Sequence, residues 1–170
     1  MYVELLIFYI LYHKFVLEIY HFNLLIATKI YMILYCYMCM FQYLDISEHI
    51  SVLRNLRPDE KIYDIFVRTA NGTTYNTYII KSDNEYAIVD PGRLESAKLM
   101  FDELKKHIDI NKLTYVIITQ SQPSHSEALS YLLEELPNLI IVATPGAMTF
   151  LKHVTNTSFK NFEARANDTL

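Results

Sequence analysis

The sequence predicts an α/β layered domain that is preceded by an apolar, helical N-terminal segment. Residues 1–44 contain no Gly, Pro, Ser, Asp or Arg and only four charged side chains, whereas residues 45–170 hold the other 30 charges and every glycine and proline. Within the second segment, short β-prone runs come first and then alternate with runs of helical periodicity. Strands followed by a β-α-β-α order are typical of layered α/β domains.

Composition and cysteine content exclude several classes of protein. The chain has 170 residues, of which 52% are apolar and 20% charged, and its formal net charge is −4. These values exclude a disordered tail and a basic nucleic-acid binder, so we expect no nucleic-acid partner. Two cysteines, Cys36 and Cys39, are too few for a disulfide scaffold. Their C-x-x-C spacing occurs in redox and metal pairs, but the wholly apolar surroundings favour a chance spacing.

The apolar segment of residues 1–44 has three interpretations. Residues 26–44 carry a single charge, Lys29 near one end, and approach the roughly 20 residues of a membrane-spanning helix, so a membrane tether is the first. Translation of an AT-rich stretch upstream of the true start is the second, because 33 of the 44 residues are Phe, Ile, Tyr, Asn, Lys, Leu or Met and Met40 is an available later start. A helix buried by a partner is the third. Since the segment lacks the basic start of a signal peptide, we expect a cytoplasmic protein, with membrane association as the alternative.

The next part of the chain predicts an antiparallel meander. Four β-prone runs follow one another, at residues 50–53, 62–67, 73–80 and 86–89. Turn-forming Ser, Asp and Asn residues separate the last two runs. Strands joined by such short connections pair most simply as antiparallel neighbours.

Helices and buried strands then alternate to the end of the chain. Apolar residues at helical spacing predict a helix over residues 94–108, and His107 in its basic last turn is interpreted as an end-of-helix cation rather than a ligand. Thr144 and Pro145 together predict the start of another helix. Apolar runs predict three more strands, at residues 115–119, 139–143 and 159–163. A further helix is expected between the first two of them, over residues 128–136.

Two loops at the carboxyl ends of predicted strands are candidate sites, because function in such sheets concentrates there. One is the tight turn at Asp90, and the other is the segment 117–126. Together with Gly72-Thr-Thr-Tyr-Asn76, the Asp90-Pro-Gly turn and Pro123-Ser-His-Ser126 resemble the flavodiiron proteins. The resemblance covers residues 45–170 and extends to Asn167-Asp-Thr-Leu170, which has Asn where the family has Gly. It implies the N-terminal part of an oxygen-binding di-iron (ODP) domain, a partial metallo-β-lactamase-like αββα sandwich.

The resemblance also implies that most metal ligands are replaced. The 117–126 loop corresponds to the family's His-x-Glu-x-Asp-His-Ser-Gly motif, in which Gln120, Gln122 and Ser124 stand for the first His, the Glu and the Asp. Only His125 keeps the ligand type. The remaining ligands and the FMN-binding flavodoxin-like domain have no counterpart in these residues. Amide and hydroxyl oxygens are weak iron donors, so we expect no di-iron or FMN cofactor here, although intact relatives carry both.

Each of these residues also has a structural interpretation. His125 is then a satisfied polar residue in the first turn of a helix, and Asp90 is a turn former; in the family it would hold a metal ligand in place. Ser124-x-x-Glu127 matches a capping box that opens that helix. Gln120 and Gln122 are then solvated loop amides.

Two functions follow, with a weaker third. The first is a degenerate, truncated member of the flavodiiron oxidoreductases, whose intact relatives reduce oxygen or nitric oxide, and which is inactive alone. The second is a non-catalytic interaction module, tethered to a membrane by residues 26–44, in which a protein partner or a second copy covers an open sheet. The third is a single-metal site at His125 that a partner chain completes.

Overall fold

A computed structural model describes residues 25–26, 40–63 and 67–169 of the chain. The chain divides into two units, residues 1–38 and 39–170. In the first unit, Leu25 and Ile26 are helical. Both cysteines and most of the 26–44 span lie outside the described residues, and the predictions made for them remain predictions. Within the described ranges, no helix is long and apolar enough to cross a membrane.

The described part of the second unit contains nine strands. Seven of them form one sheet in the order β1-β2-β5-β6-β7-β8-β9, and the other two, β3 and β4, pair with each other. The strands are β1 (Met40–Asp45), β2 (Ile50–Arg57), β3 (Ile62–Tyr63), β4 (Val67–Arg68), β5 (Thr73–Lys81), β6 (Tyr86–Val89), β7 (Leu113–Ile117), β8 (Ile140–Ala143) and β9 (Lys160–Glu163).

The sheet is mixed, and its first half confirms the predicted meander. β1, β2, β5 and β6 pair antiparallel, whereas β6, β7, β8 and β9 pair parallel. The single strand predicted over residues 62–67 is wrong, since β3 and β4 form a separate small hairpin there. The backbone N–H of Thr69 donates to the Lys61 carbonyl at 3.0 Å, and the Lys61 ammonium donates to the Ala70 carbonyl at 3.1 Å. These bonds close the segment on itself, and β3 and β4 form a two-stranded sheet apart from the seven-stranded one.

The sheet begins at Met40, inside the segment 1–44 that the sequence set apart. β1 pairs with β2 along its whole length, with Asp45 opposite Ser51. Phe41 and Tyr43 pack against the hydrophobic core, while Leu44 is exposed. This alternation is typical of a half-buried strand. The sequence does not reveal this strand, because its residues are nearly all apolar or aromatic and an alternation of buried and exposed positions shows only where polar residues alternate with apolar ones.

Four helices pack against the sheet in the described residues: α1 (Leu94–His107), α2 (Pro123–Ser126), α3 (Leu129–Glu135) and α4 (Pro145–Thr155); a 3-10 turn spans Ile110–Lys112. The helix predicted over 94–108 is confirmed. His107 closes α1 beside Glu103, with 3.3 Å between His Nε2 and the carboxylate, and its ring stacks on Tyr43 at 3.9 Å. Thr144 caps α4 as predicted, since its hydroxyl accepts the Ala147 N–H at 3.4 Å.

The main hydrophobic cluster lies on one face of the sheet. Strand residues such as Leu53, Ile79, Ile88 and Val116 are fully buried there against apolar residues of α1, α3 and α4. Burial of an aliphatic side chain of this size contributes about 1.5–3 kcal/mol, so this layer dominates the stability of the unit. Because β6 and β7 are parallel neighbours, their carboxyl ends meet at one edge of the sheet. The two loops singled out in the sequence start at that edge.

Candidate functional site

The turn after β6 holds Asp90 in an unusual backbone conformation. Its φ is +55°, in the left-handed region that Asp tolerates better than most residues, and Gly92 follows with φ +85°. The Asp90 N–H donates to the Ile117 carbonyl at 2.9 Å, and the Thr77 hydroxyl donates to the Asp90 carbonyl at 3.0 Å. The backbone of Asp90 is thus held by both neighbouring strands, and its side chain is directed toward the loop that leaves β7.

The Asp90 carboxylate organises that loop through three hydrogen bonds. Oδ1 accepts the Thr119 N–H at 2.8 Å, and Oδ2 accepts the Thr119 hydroxyl. Oδ2 also lies 2.9 Å from Nδ1 of His125. Only 13% of the Asp90 side chain is exposed, and its contact with His125 is part-buried, whereas Thr119 is exposed to water. Asp90 therefore does more than form its own turn.

His125 is fixed in orientation by this contact. A carboxylate can only accept, so Nδ1 carries the proton that is shared with Asp90, and in the neutral ring Nε2 is left with a lone pair. Within the described residues, no hydrogen bond reaches Nε2. The backbone is held as well, because the His125 carbonyl accepts the Gly92 N–H at 3.2 Å. His125 is an oriented imidazole, 26% exposed, at the surface of the loop.

The other residues of the loop do not converge on His125 as ligands. Gln120 and Gln122 are exposed. Ser124 is 5% exposed and its hydroxyl accepts the Tyr63 O–H at 3.3 Å. The capping box predicted for Ser124 is wrong: Pro123 opens α2, so the N-cap is Gln122, and Ser124 lies inside the helix.

A polar cluster beside the loop, formed by Glu60, Tyr75 and Arg93, was not predicted from the sequence. The hydroxyl of Tyr75 donates to Oε1 of Glu60, and Arg93 lies 3.6 Å from the same carboxylate oxygen. Burial, together with the bond to Glu60, raises the pKa of Tyr75 to about 12. The ring of Tyr63 lies 6.0 Å from that of Tyr75 and so links the cluster to Ser124. Tyr75 belongs to the Gly-Thr-Thr-Tyr-Asn segment, but its partner at position 60 gives no signal in the sequence.

These donors do not fit a di-iron centre. Such a centre needs several imidazole and carboxylate ligands, and of the loop side chains at positions 120, 122, 124 and 125 only His125 is of either type. Ser124 is occupied by Tyr63, and the two glutamines offer neutral amides. In the described ranges, no group of three or more His, Cys, Asp or Glu side chains is arranged to hold a metal ion. What the arrangement does provide is one oriented imidazole with a carboxylate behind it.

The turn near the end of the chain fits the resemblance stated above. Asn167 has φ +72°, a left-handed conformation that glycine adopts freely and that Asn tolerates. The Asp168 side chain accepts the Arg165 N–H at 2.8 Å and closes the turn. Asn can therefore stand where the family has Gly without changing the path of the backbone.

Comparison with protein families and known sequences identifies relatives. A family model described as ODP family beta lactamase matches residues 73–169. Diflavin flavoprotein A 1 from Synechocystis sp. is 32% identical over 125 residues, which make up 74% of this chain and 22% of that protein. Flavo-diiron protein FprA2 from Clostridium acetobutylicum is 31% identical over 126 residues, or 74% of this chain and 31% of that protein. The chain thus spans less than a third of the length of these relatives.

Solved structures agree on the fold. A flavo di-iron protein variant from Thermotoga maritima superposes with a TM-score of 0.71 at 20% identity, over 77% of this chain and 33% of that one. A fragment, residues 1–254, of diflavin flavoprotein A 5 from Nostoc sp. superposes with a TM-score of 0.69 at 26% identity, over 78% of this chain and 52% of the fragment. The matched family model covers more than half of the chain, and the relatives that match it are diflavin and flavodiiron proteins. The chain therefore belongs to the ODP family of beta-lactamase-like domains.

Proposed function

We propose that this chain is a degenerate member of the flavodiiron group whose 119–126 loop does not assemble a di-iron centre, so that the chain alone does not reduce oxygen or nitric oxide. The observation that carries the proposal is the pairing of Ser124 with Tyr63 in place of a carboxylate ligand. Gln120 and Gln122, both exposed amides, support it. The Asp90–His125 pair then keeps the shape of the loop without its metal chemistry.

The absence of carboxylates from the loop lowers its electrostatic attraction for a metal cation. A carboxylate about 4 Å from a cation contributes roughly 4 kcal/mol of gross attraction at an effective dielectric of 20. Two carboxylate positions, 122 and 124, carry neutral side chains here. Since every 1.4 kcal/mol changes an equilibrium constant about tenfold, the loss of both removes several decades of metal affinity.

Metal analysis of the full-length chain tests this proposal. The purified protein is incubated anaerobically with ferrous iron, desalted and analysed for bound iron. We expect substoichiometric iron that does not change in His125→Asn. The matched gain-of-ligand variant Gln120→His/Gln122→Glu/Ser124→Asp should retain more iron than the natural sequence. Stoichiometric iron in the natural sequence that disappears in His125→Asn would refute the proposal.

A second function, a non-catalytic interaction module, is favoured by a different observation. The seven-stranded sheet has its helices and hydrophobic core on one face, and large apolar side chains such as Tyr78 and Ile80 are exposed on the other. Contiguous exposed apolar surface commonly marks an interaction site. In this proposal the sheet with its helices is one half of an αββα sandwich, and the opposite half comes from whatever covers the exposed face.

A further inference from the structure

The hydroxyl of Ser124 is directed toward the β3–β4 hairpin from a buried position. Only 5% of Ser124 is exposed, and its hydroxyl accepts the Tyr63 O–H at 3.3 Å. The backbone around it is fixed, because the His125 and Ser126 N–H groups both donate to the Gln122 carbonyl, at 2.9 and 3.1 Å. A different side chain at position 124 would therefore start from the same backbone and have the Tyr63 hydroxyl beside it.

Tyr63 is itself held in place from two directions. Its strand pairs with β4, where Tyr63 lies opposite Val67, and the Thr69 hydroxyl donates to the Glu60 carbonyl at 2.7 Å. Its ring lies 6.0 Å from the ring of Tyr75 on β5 of the main sheet, and the Tyr75 hydroxyl donates to the Glu60 carboxylate. The Tyr63 hydroxyl is thus a positioned donor at the edge of the loop.

The length of the Tyr63–Ser124 bond leaves room for a longer acceptor. At 3.3 Å it exceeds the roughly 2.5–3.0 Å of a typical O–H···O bond. An aspartate oxygen lies one bond further from the backbone than a serine oxygen, and an O–H group donates to a carboxylate at about 2.5–2.7 Å. A carboxylate at position 124 would therefore accept a charge-assisted hydrogen bond from Tyr63 that is stronger than the present bond.

Such a bond opposes the orientation that a metal ligand at position 124 needs. Consecutive side chains of a helix point about 100° apart, so a carboxylate at position 124 has to turn toward His125 before both can bind one cation. The Tyr63 hydroxyl instead draws the carboxylate toward the hairpin. A charge-assisted hydrogen bond corresponds to roughly tenfold or more in an equilibrium constant, which is enough to weaken metal binding measurably.

We propose that Tyr63 is a second block to metal binding, separate from the replaced ligand types in the loop. It holds the acceptor at position 124 against the β3–β4 hairpin and away from Nε2 of His125. The proposal rests on the loss of the di-iron centre proposed above and adds a residue outside the loop as a cause. Restored ligand residues alone therefore bind ferrous iron weakly, and tighter binding also requires removal of the Tyr63 hydroxyl.

Equilibrium dialysis of full-length variants against ferrous iron under anaerobic conditions tests the proposal. The gain-of-ligand variant is compared with the same variant carrying Tyr63→Phe, which keeps the ring and removes the competing donor. This change should tighten iron binding about tenfold. Tyr131→Phe is the matched control and should leave the affinity unchanged, because Tyr131 is a half-buried tyrosine of α3 whose ring packs edge-on against Phe101 of α1.

An equal affinity with and without Tyr63→Phe would overturn the proposal. A weaker affinity would overturn it too, since Tyr63 would then support the carboxylate as a ligand. Stoichiometric iron in the natural sequence would instead refute the loss of the di-iron centre. That measurement needs no variant of Tyr63, so the two failures are distinguishable.

Urea unfolding of two simpler pairs of chains tests the contact without iron, and it applies even if the gain-of-ligand variant does not fold. Tyr63→Phe should lower the unfolding midpoint of full-length Ser124→Asp more than that of the natural sequence, because only aspartate accepts the charge-assisted bond. Equal shifts in the two backgrounds would show that Tyr63 does not hold a carboxylate at position 124, and would overturn the proposal.

Discussion

Removal of the Asp90 carboxylate should destabilise the whole unit, because this group links the turn after β6 to the loop after β7. The side chain accepts three hydrogen bonds, two from Thr119 and one from His125. Hydrogen bonds to charged groups contribute about 1.5–3 kcal/mol each, and water that reaches the exposed Thr119 reduces this to about 1 kcal/mol per bond. An alanine at φ +55° adds about 1 kcal/mol of backbone strain. Asp90→Ala should therefore lower the free energy of unfolding by about 4 kcal/mol.

Asp90→Asn removes the negative charge of the side chain but keeps its size and shape. Asn tolerates a left-handed backbone, and its amide oxygen can still accept the Thr119 N–H, whereas its amide group faces two donors at Oδ2. We expect a loss of about 2 kcal/mol, half of the alanine value. Asp83→Ala is the control, since Asp83 is an exposed carboxylate in the turn before β6, and such surface changes stay within about 0.5 kcal/mol.

Urea unfolding of the full-length variants, followed by far-ultraviolet circular dichroism, measures these differences as shifts of the midpoint at constant slope. The reasoning is refuted if Asp90→Ala lies within about 1 kcal/mol of the natural sequence. It is also refuted if Asp90→Asn is as unstable as Asp90→Ala, because the backbone and the Thr119 N–H bond would then contribute nothing.

Two further predictions concern a glycine and a tyrosine. A Cβ at Gly72 would lie 2.2 Å from a backbone carbonyl oxygen in a turn with φ +86°, so Gly72→Ala should cost 3 kcal/mol or more, on the order of other severe backbone substitutions. At Gly146 in α4, a Cβ would meet nothing within 4 Å. Gly146→Ala should therefore raise the free energy of unfolding by about 0.5–1 kcal/mol in the same urea assay. Equal effects of the two substitutions would contradict this reasoning. Because the pKa of Tyr75 is raised to about 12 in the folded state from an ordinary value of 10.0, the unfolded chain loses this proton first as the pH rises. Stability should therefore fall between pH 10 and pH 12, and Tyr75→Phe should flatten this part of the pH profile; an unchanged profile would show that Tyr75 ionises as freely in the folded chain.

Much of the fold was predictable because its signals are local. The helix α1 follows from apolar residues at helical spacing, and the start of α4 follows from Thr144 and Pro145, which act on the backbone within one turn. The meander followed from short runs separated by turn residues. Where a local signal was ambiguous, the prediction failed: residues 62–67 read as one β-prone run, but Lys61 and Thr69 close that region into a separate hairpin.

The site shows the same division. Asp90 and His125 were singled out from the sequence, since strand ends and the family's motif both pointed to them. Their hydrogen bond was not predictable, because the two residues are 35 positions apart and meet only through the parallel pairing of β6 and β7. The contact of Tyr63 with Ser124 spans 61 positions and depends on where the β3–β4 hairpin lies. The predicted capping role of Ser124 failed for a separate, local reason, because Pro123 opens α2 and Gln122 is its N-cap.

The sequence by itself therefore determined the family, the order of the elements and the chemical types at the loop, including glutamines and a serine where relatives have ligands. Those properties depend on residue identity and on spacing along the chain. Tertiary structure alone decided that Asp90 orients His125, that the helices pack on one face of the sheet, and that side chains such as Tyr78 and Ile80 are exposed on the other. Side chains that alternate along each strand form a continuous surface only after seven strands have been set in register, and that register is a property of the sheet rather than of any one segment.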